Sequence, residues 1–238
     1  APNPSFLFMG ERHGEALAHL QFGLGETGGF VLLTGEVGTG KTTLCRRMLE
    51  QLPETVEVAF ILNPTLSERE LLASICDELK IRYQKTKASI KDLTDKITDR
   101  LLKNHEKGIK TVLIIDEAQH LRPEVLEQLR LLTNLETNAD KLLKVIIIGQ
   151  PELQQLLKRQ ELRQLAQRIT ARYHLLPLTE QEVSHYIHHR LQVAGCERQL
   201  FTRKAIKYIH QLSNGIPRLI NLLCDRALLG AFAQRAPV

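Results

Sequence analysis

Several features that mark specialised classes of protein are missing from this sequence. Its four cysteines, Cys45, Cys76, Cys196 and Cys224, never form a C-x-x-C pair. That spacing argues against a disulfide framework or a zinc ribbon and fits reduced core thiols in a cytosolic compartment. No apolar run reaches the roughly 20 residues that a membrane span needs. The most apolar late stretch, Leu219 to Ala233, is broken by Asp225 and Arg226 and reads as a helix buried along one face. No signal-peptide pattern is visible, and there is no internal repeat or low-complexity segment. The chain starts with Ala rather than Met and ends in Ala-Pro-Val, so it is expected to be a piece of something longer.

A strong charge of one sign is also missing. The 238 residues carry 32 Lys and Arg against 27 Asp and Glu, a formal net charge of +5. The length is ample for a hydrophobic core. A chain that is 43% hydrophobic and 25% charged is neither intrinsically disordered nor fibrous. The charge is uneven: residues 171 to 238 hold nine basic and four acidic side chains, so the whole excess lies there. His174, His185, His188, His189 and His210 in the same segment add to it at lower pH. A basic segment raises a nucleic-acid partner, although five charges are the ordinary outcome of a solvated surface.

Short apolar runs alternate with helical stretches. Phe30 to Thr34, Val56 to Leu62, Thr111 to Ile115 and Val145 to Ile148 have strand length and β-branched content, and the most continuous should be buried on both faces. Ser67 with Glu70, and Thr179 with Glu182, spell capping boxes that start helices. Pro123 fits the first turn of a helix through Leu126, Leu129 and Leu132. Such alternation predicts an α/β domain, a mainly parallel sheet with helices on both faces. After about Pro177 only helices are expected: one from about Glu180 to Ala194 that stops at Gly195, one after Thr202, and one from Pro217 beyond the Ser213-Asn214-Gly215 break. The predicted domains are therefore an α/β domain over 1–176 and a small helical domain over 177–238.

Gly35-Glu36-Val37-Gly38-Thr39-Gly40-Lys41-Thr42 is a full G-x-x-x-x-G-K-[ST] match between an apolar strand and a helix that continues through Thr43. Glycines let the backbone wrap a phosphate with successive N–H groups, and the helix presents its positive end. Lys41 is suited to the β- and γ-phosphates, and the Thr42 hydroxyl to Mg2+. Downstream, the strand Val112 to Ile115 ends in Asp116-Glu117. Asp116 is suited to hold Mg2+ through water and Glu117 to polarise an attacking water. Two acids after a strand, with one extra strand between them and the phosphate loop, favour nucleotide hydrolysis over phosphoryl transfer to a metabolite.

With these elements in this order, the sequence resembles an AAA+ ATPase, a P-loop NTPase three-layer fold followed by a helical lid. The stretches Asp116 to Leu121, Leu126 to Thr137, Ile148 to Leu153 and Gly215 to Asn221 are similar to those of the ATPase domains of type II secretion accessory proteins of the secretion-pathway A family and their pilus-biogenesis relatives. The similarity covers nearly the whole chain, including Phe8 to His13 near its start.

The resemblance implies roles. Gln150 matches the first sensor, which contacts the γ-phosphate or the attacking water; a helix-capping or solvent-facing glutamine is the alternative. Arg218, in G-x-P-R, matches the second sensor, a lid arginine; an arginine in a helix's first turn is otherwise electrostatically disfavoured. Among Arg163, Arg168 and Arg172, Arg168 is chosen as the finger that a neighbouring copy's ATP would receive, against a solvated helix face. Phe8, Met9 and His13 line the adenine pocket or pack as ordinary core or surface.

The resemblance further implies ATP and Mg2+ as cofactors, homo-oligomerisation, a membrane-protein partner in a secretion or pilus system, and the cytoplasmic side of an inner membrane. Full-length family members continue through a membrane segment into a periplasmic part. A DNA-binding ATPase of the transposition-helper type and a nucleotide-gated scaffold with little turnover are the alternatives. His185, His188 and His189 have helical spacing for a metal but lack a second ligand cluster. Lys80, Arg82, Lys85, Lys87 and Lys91, with Tyr83 as the one aromatic among them, make a poor stacking platform for single strands.

Overall fold

The computed structural model describes Phe6 and residues 8–25, 29–62, 65–135 and 141–234. Ten α-helices and five strands lie among them, in the order α1 (Glu11–Gly25), β1 (Phe30–Gly35), α2 (Lys41–Glu50), β2 (Val56–Ile61), α3 (Glu68–Glu78), α4 (Ile90–Glu106), β3 (Lys110–Ile115), α5 (Pro123–Leu132), β4 (Leu143–Gly149), α6 (Pro151–Leu156), α7 (Arg163–Gln167), β5 (Ile169–Leu175), α8 (Glu180–Val193), α9 (Arg203–Ser213) and α10 (Pro217–Ala233). The predicted motif residues Glu136 and Thr137 lie outside the described residues.

The strands form one sheet in the order β2-β3-β4-β1-β5. The pairs β2–β3, β3–β4 and β4–β1 are all parallel, with Ile61 opposite Ile115, Ile115 opposite Ile147 and Thr34 opposite Gly149. β1, β3 and β4 therefore end at the same edge of the sheet. Every residue of β1, and five consecutive residues of both β3 and β4, are buried. Such strands are covered on both faces, which is why they read as unbroken apolar runs.

The four predicted strands are all present, within two residues of their expected bounds. β5 (ITARYHL) was not among them. It is the last strand in the order, and Thr170 and Arg172 are exposed while Ile169, Ala171 and Leu175 are buried; a strand with one wet face carries no apolar run.

By contact the chain parts into two compact units. One holds residues 18–34 and 48–174, and the other gathers residues 1–17 and 35–47 to the segment 175–238. The first unit contains the sheet core, including Phe30, Leu113, Ile115, Val145 and Ile147. Leu71 and Ile75 of α3, Ile97 and Leu101 of α4, and Leu126 and Leu129 of α5 are buried with it. In the second unit, Val183, Tyr186 and Ile187 of α8 pack with Phe201, Ile206, Ile209 and Ile220.

Local sequence sets the helix starts. The capping boxes at Ser67/Glu70 and Thr179/Glu182 are both formed, and Ser89/Asp92 makes a third at the head of α4. α8 gives way at Gly195, whose φ is +83°, and α9 ends at Asn214, whose φ is +49°. α10 contributes one fully buried residue, Ile220, with Leu223, Cys224 and Leu228 partly buried beside it. Its other side is also apolar, with Leu222, Leu229 and Phe232 exposed. No helix among the described residues is long and apolar enough to cross a membrane. Burial, with Asp77 or Asp225 adding to it, pushes the Cys76 and Cys224 thiols up to about 11, so both are poor nucleophiles.

Candidate nucleotide site

The phosphate loop belongs to the second unit. β1 runs out at Gly35, the chain turns through Glu36 to Gly40, and α2 begins at Lys41. The Thr39 main-chain N–H and hydroxyl both donate to the Glu36 carbonyl, at 3.3 and 2.9 Å, which closes the turn. Gly38 has φ +84°, and a Cβ there would lie 2.6 Å from the Cβ of Arg218. Only glycine meets both demands without strain. The buried Lys41 ammonium donates to the carbonyls of Gly35 at 2.8 Å and Glu36 at 2.9 Å, so it is folded over the loop. Thr42 and Thr43 follow, half-buried, in a first helical turn that carries no acid. A positive helix end with no acid in its own first turn suits an anion.

Two further elements of this unit meet the loop. The main-chain N–H of Arg218, at the second position of α10, donates to the Gly38 carbonyl. The sequence-predicted second sensor therefore sits against the phosphate loop, with its side chain exposed. On α1, His13 is 3% exposed and its Nε2 lies 3.3 Å from the Thr39 carbonyl. A carbonyl only accepts, so Nε2 carries the proton, and the buried Nδ1 has no hydrogen-bond partner. Burial holds the His13 pKa below its ordinary value, against the opposing pull of the Thr39 carbonyl and Glu182. Phe8 packs edge-on to Tyr186 and against His189, while Met9 is exposed. His189 is thus half-buried beside an aromatic ring, unlike the solvent-facing His185 and His188.

The first unit holds the acids. Asp116 follows β3, is 2% exposed, and its Oδ1 accepts the Glu117 N–H at 2.9 Å. Glu117 stands in the left-handed region, with φ 54° and ψ 36°, at the head of a 3-10 turn from Ala118 to His120. A non-glycine residue in that region is held at a cost of order 1 kcal/mol and is frequent at functional sites. Its Oε2 accepts two amide N–H bonds, from Gln119 Nε2 at 2.6 Å and Gln150 Nε2 at 3.0 Å. Gln150 occupies the N-cap position of α6, yet its side chain makes no capping bond; the amide goes to Glu117 instead.

Gln119 closes this arrangement and was not singled out for a role by the sequence. Also in the first unit, Thr34 Oγ1 accepts from Gln154 Nε2 at 2.6 Å and lies 3.0 Å from His174 Nδ1, a polar cluster at the end of β1 that the apolar-run reading passed over. Arg168 follows α7 and is half-buried; its Nη1 donates to the side-chain oxygen of Asn134 and lies 3.5 Å from the Arg130 carbonyl. Arg163 and Arg172 are exposed.

The family described as AAA domain matches residues 24–157. The chain belongs to this family. It is 64% identical to General secretion pathway protein A of Aeromonas hydrophila over 234 residues, which is 98% of this chain and 43% of that protein. The chain thus spans less than half the length of this curated relative. Among solved structures it is similar to Cdc6p from Pyrobaculum aerophilum, with a TM-score of 0.74, 19% identity, and coverage of 99% of this chain and 67% of that one. It is also similar to the Aeropyrum pernix ORC2 protein in its ADPNP-ADP complexes, with a TM-score of 0.69, 19% identity, and coverage of 96% and 65%. At such identities these two establish the fold, the α/β architecture of the P-loop NTPases expected from the sequence.

Proposed function

We propose that this AAA family member binds ATP with Mg2+ and hydrolyses it, as the ATPase part of a secretion- or pilus-assembly accessory protein that drives or switches partner proteins on self-association. The observation that carries the reading is the loop itself: Gly38 at φ +84° against Arg218, a buried Lys41, and an α2 start free of acids. These features fit phosphate groups. Oxygen donors of the Thr42 hydroxyl and Asp116 carboxylate type fit Mg2+, a hard cation.

In this reading Gly35 to Thr43 hold the phosphates, with Lys41 on the β- and γ-phosphates, and Thr42 and Asp116 hold the metal. When bound, Mg2+ neutralises charge developing on the phosphate oxygens. Glu117 takes the proton from the attacking water, Gln150 orients that water or the γ-phosphate, and Arg218 contacts the γ-phosphate. Arg168 serves the ATP of a neighbouring copy, a contribution on the order of 10³–10⁵ in rate for such fingers. Residues 177–238 act as the lid. The secretion setting, its membrane-protein partner and the cytoplasmic location rest on the likeness to the Aeromonas protein, whose name is a secretion name.

The test is ATP turnover measured over a range of protein concentrations, with mass measured in parallel. A rate per subunit that rises with concentration is expected, and Glu117→Gln should bind ATP yet turn over far more slowly. Binding without turnover at every concentration would instead identify a nucleotide-gated scaffold. The excess positive charge of residues 171 to 238 supports a second reading, a DNA-handling ATPase. It requires salt-dependent DNA affinity and DNA-stimulated turnover, and absence of both at low salt disposes of it.

A further inference from the structure

Three residues of the first unit form a closed ring. Gln119 Nε2 donates to Glu117 Oε2 at 2.6 Å, Gln119 Oε1 accepts the main-chain N–H of Gln150 at 3.1 Å, and Gln150 Nε2 returns to Glu117 Oε2 at 3.0 Å. The orientation of the Gln119 amide is fixed by its partners, since a backbone N–H needs the oxygen and a carboxylate needs the NH2 group. Both ends of one side chain are therefore used, one on the acid after β3 and one on the peptide after β4.

The surroundings are built around this bridge. Ala118, fully buried in the sheet core, anchors the 3-10 turn that carries Gln119. Gly149 clears its path: a Cβ at that position would lie 2.8 Å from Gln119 Oε1. The nearest replacements each lose part of this bridge. Glutamate accepts the Gln150 N–H but sets a second carboxylate against Glu117. Leucine fills similar space and makes neither bond, and asparagine is one methylene short.

We infer that Gln119 is a positioning residue for ATP hydrolysis: it fixes the carboxylate of Glu117 and the strand end bearing Gln150 in one mutual geometry. The inference rests on the reading of Glu117 as the group that activates water. A general base must be held within a fraction of an ångström of its productive place to act efficiently. A carboxylate held by two amides from different segments has that restraint. Gln119 itself touches neither nucleotide nor water in this scheme; it acts through Glu117 and Gln150.

The experiment compares the 238-residue chain with Gln119→Leu and Gln119→Glu. For Gln119→Leu, kcat should fall at least about tenfold, as expected when a catalytic group is loosened by roughly an ångström. KM and the affinity for a fluorescent ATP analogue should stay within about twofold, because no phosphate-loop contact is lost. For Gln119→Glu, which keeps the bond from the Gln150 main-chain N–H but loses the donor to Glu117, kcat should also fall at least about tenfold with KM within about twofold. A purely structural role predicts a lower melting temperature in both variants with kcat and KM of the folded protein unmoved, and that result overturns the inference.

Amide hydrogen exchange at Gln150, read by NMR, keeps the bridge testable apart from turnover. Exchange should quicken at least about tenfold in Gln119→Leu, in keeping with the loss of a half-buried amide's partner. If the unaltered chain binds the analogue but never hydrolyses ATP, the proposed enzymatic function fails, and with it the catalytic part of the inference. Quickened exchange would then still establish the bridge, whereas unchanged exchange would remove it as well.

Discussion

The main-chain N–H of Arg218 donates to the carbonyl of Gly38 at 3.2 Å. The head of α10 and the crown of the phosphate loop are thereby joined through backbone atoms. Gly38→Ala forces a left-handed φ on a residue with a Cβ and presses that Cβ to 2.6 Å from the Cβ of Arg218. The backbone conflict costs about 1–3 kcal/mol, and relief requires the loop or the helix start to move. Melting temperature should fall and ATP affinity should drop at least about tenfold, read by fluorescent-analogue titration. Wild-type affinity in Gly38→Ala would refute this account of the loop.

His13 predicts a pH dependence. Its folded pKa lies below the ordinary value because of burial, so near pH 6 the unfolded chain binds more protons than the folded one. The associated stability is complete above about 6.5, the ordinary histidine value, and is lost as pH falls through the lower folded value. Urea unfolding of wild type and His13→Gln, compared at about pH 7.5 and about pH 5.5, should show wild type losing more stability on acidification. Parallel losses in the two proteins would rule out the assignment.

A finger that acts on a neighbour's nucleotide can be complemented. Arg168→Ala and Glu117→Gln should each turn over ATP poorly alone. Mixed, they form some interfaces that pair an intact Glu117 with an intact Arg168, and activity should rise well above the sum of the two. No recovery on mixing, with mixed assembly confirmed by mass, would leave Arg168 with its intramolecular tie to Asn134 as its role.

At the start of α8, Thr179 Oγ1 accepts the Glu182 N–H at 3.3 Å, while Glu182 Oε2 accepts the Thr179 N–H at 2.9 Å. Thr179→Ala should destabilise by about 1 kcal/mol, lowering the melting temperature by about 2–4 °C for a chain of this size. Thr179→Ser should retain nearly all of the stability. Equal losses in both variants would show that the threonine methyl, rather than the cap, is responsible.

The legible parts of this molecule were those whose cause is local. The capping boxes, Pro123 at the head of α5, the Gly195 stop and the phosphate-loop motif each depend on a few adjacent residues, and β1, β3 and β4 announced themselves because they are buried on both faces. β5 escaped notice since Thr170, Arg172 and His174 interrupt its apolar positions. The loop, the acids and Arg218 were legible as motif residues. Gln119 was not, because its importance lies in where two ends of one amide point, and sequence carries no such information. The partner of Arg168 likewise depends on Asn134, 34 residues away.

The position of β1 within the sheet has a consequence for biosynthesis. Phe30 is paired with Val145, and its carbonyl accepts from the Thr170 hydroxyl, 140 residues further along. A nascent chain that has already emerged with its complete G-x-x-x-x-G-K-T signature still lacks both strands that flank the loop's own strand. Long-range pairing of this kind is slow and leaves edges exposed meanwhile. Ribosome-bound chains ending before β4 should therefore fail to retain ATP despite carrying the entire motif, with nucleotide affinity emerging only late in synthesis.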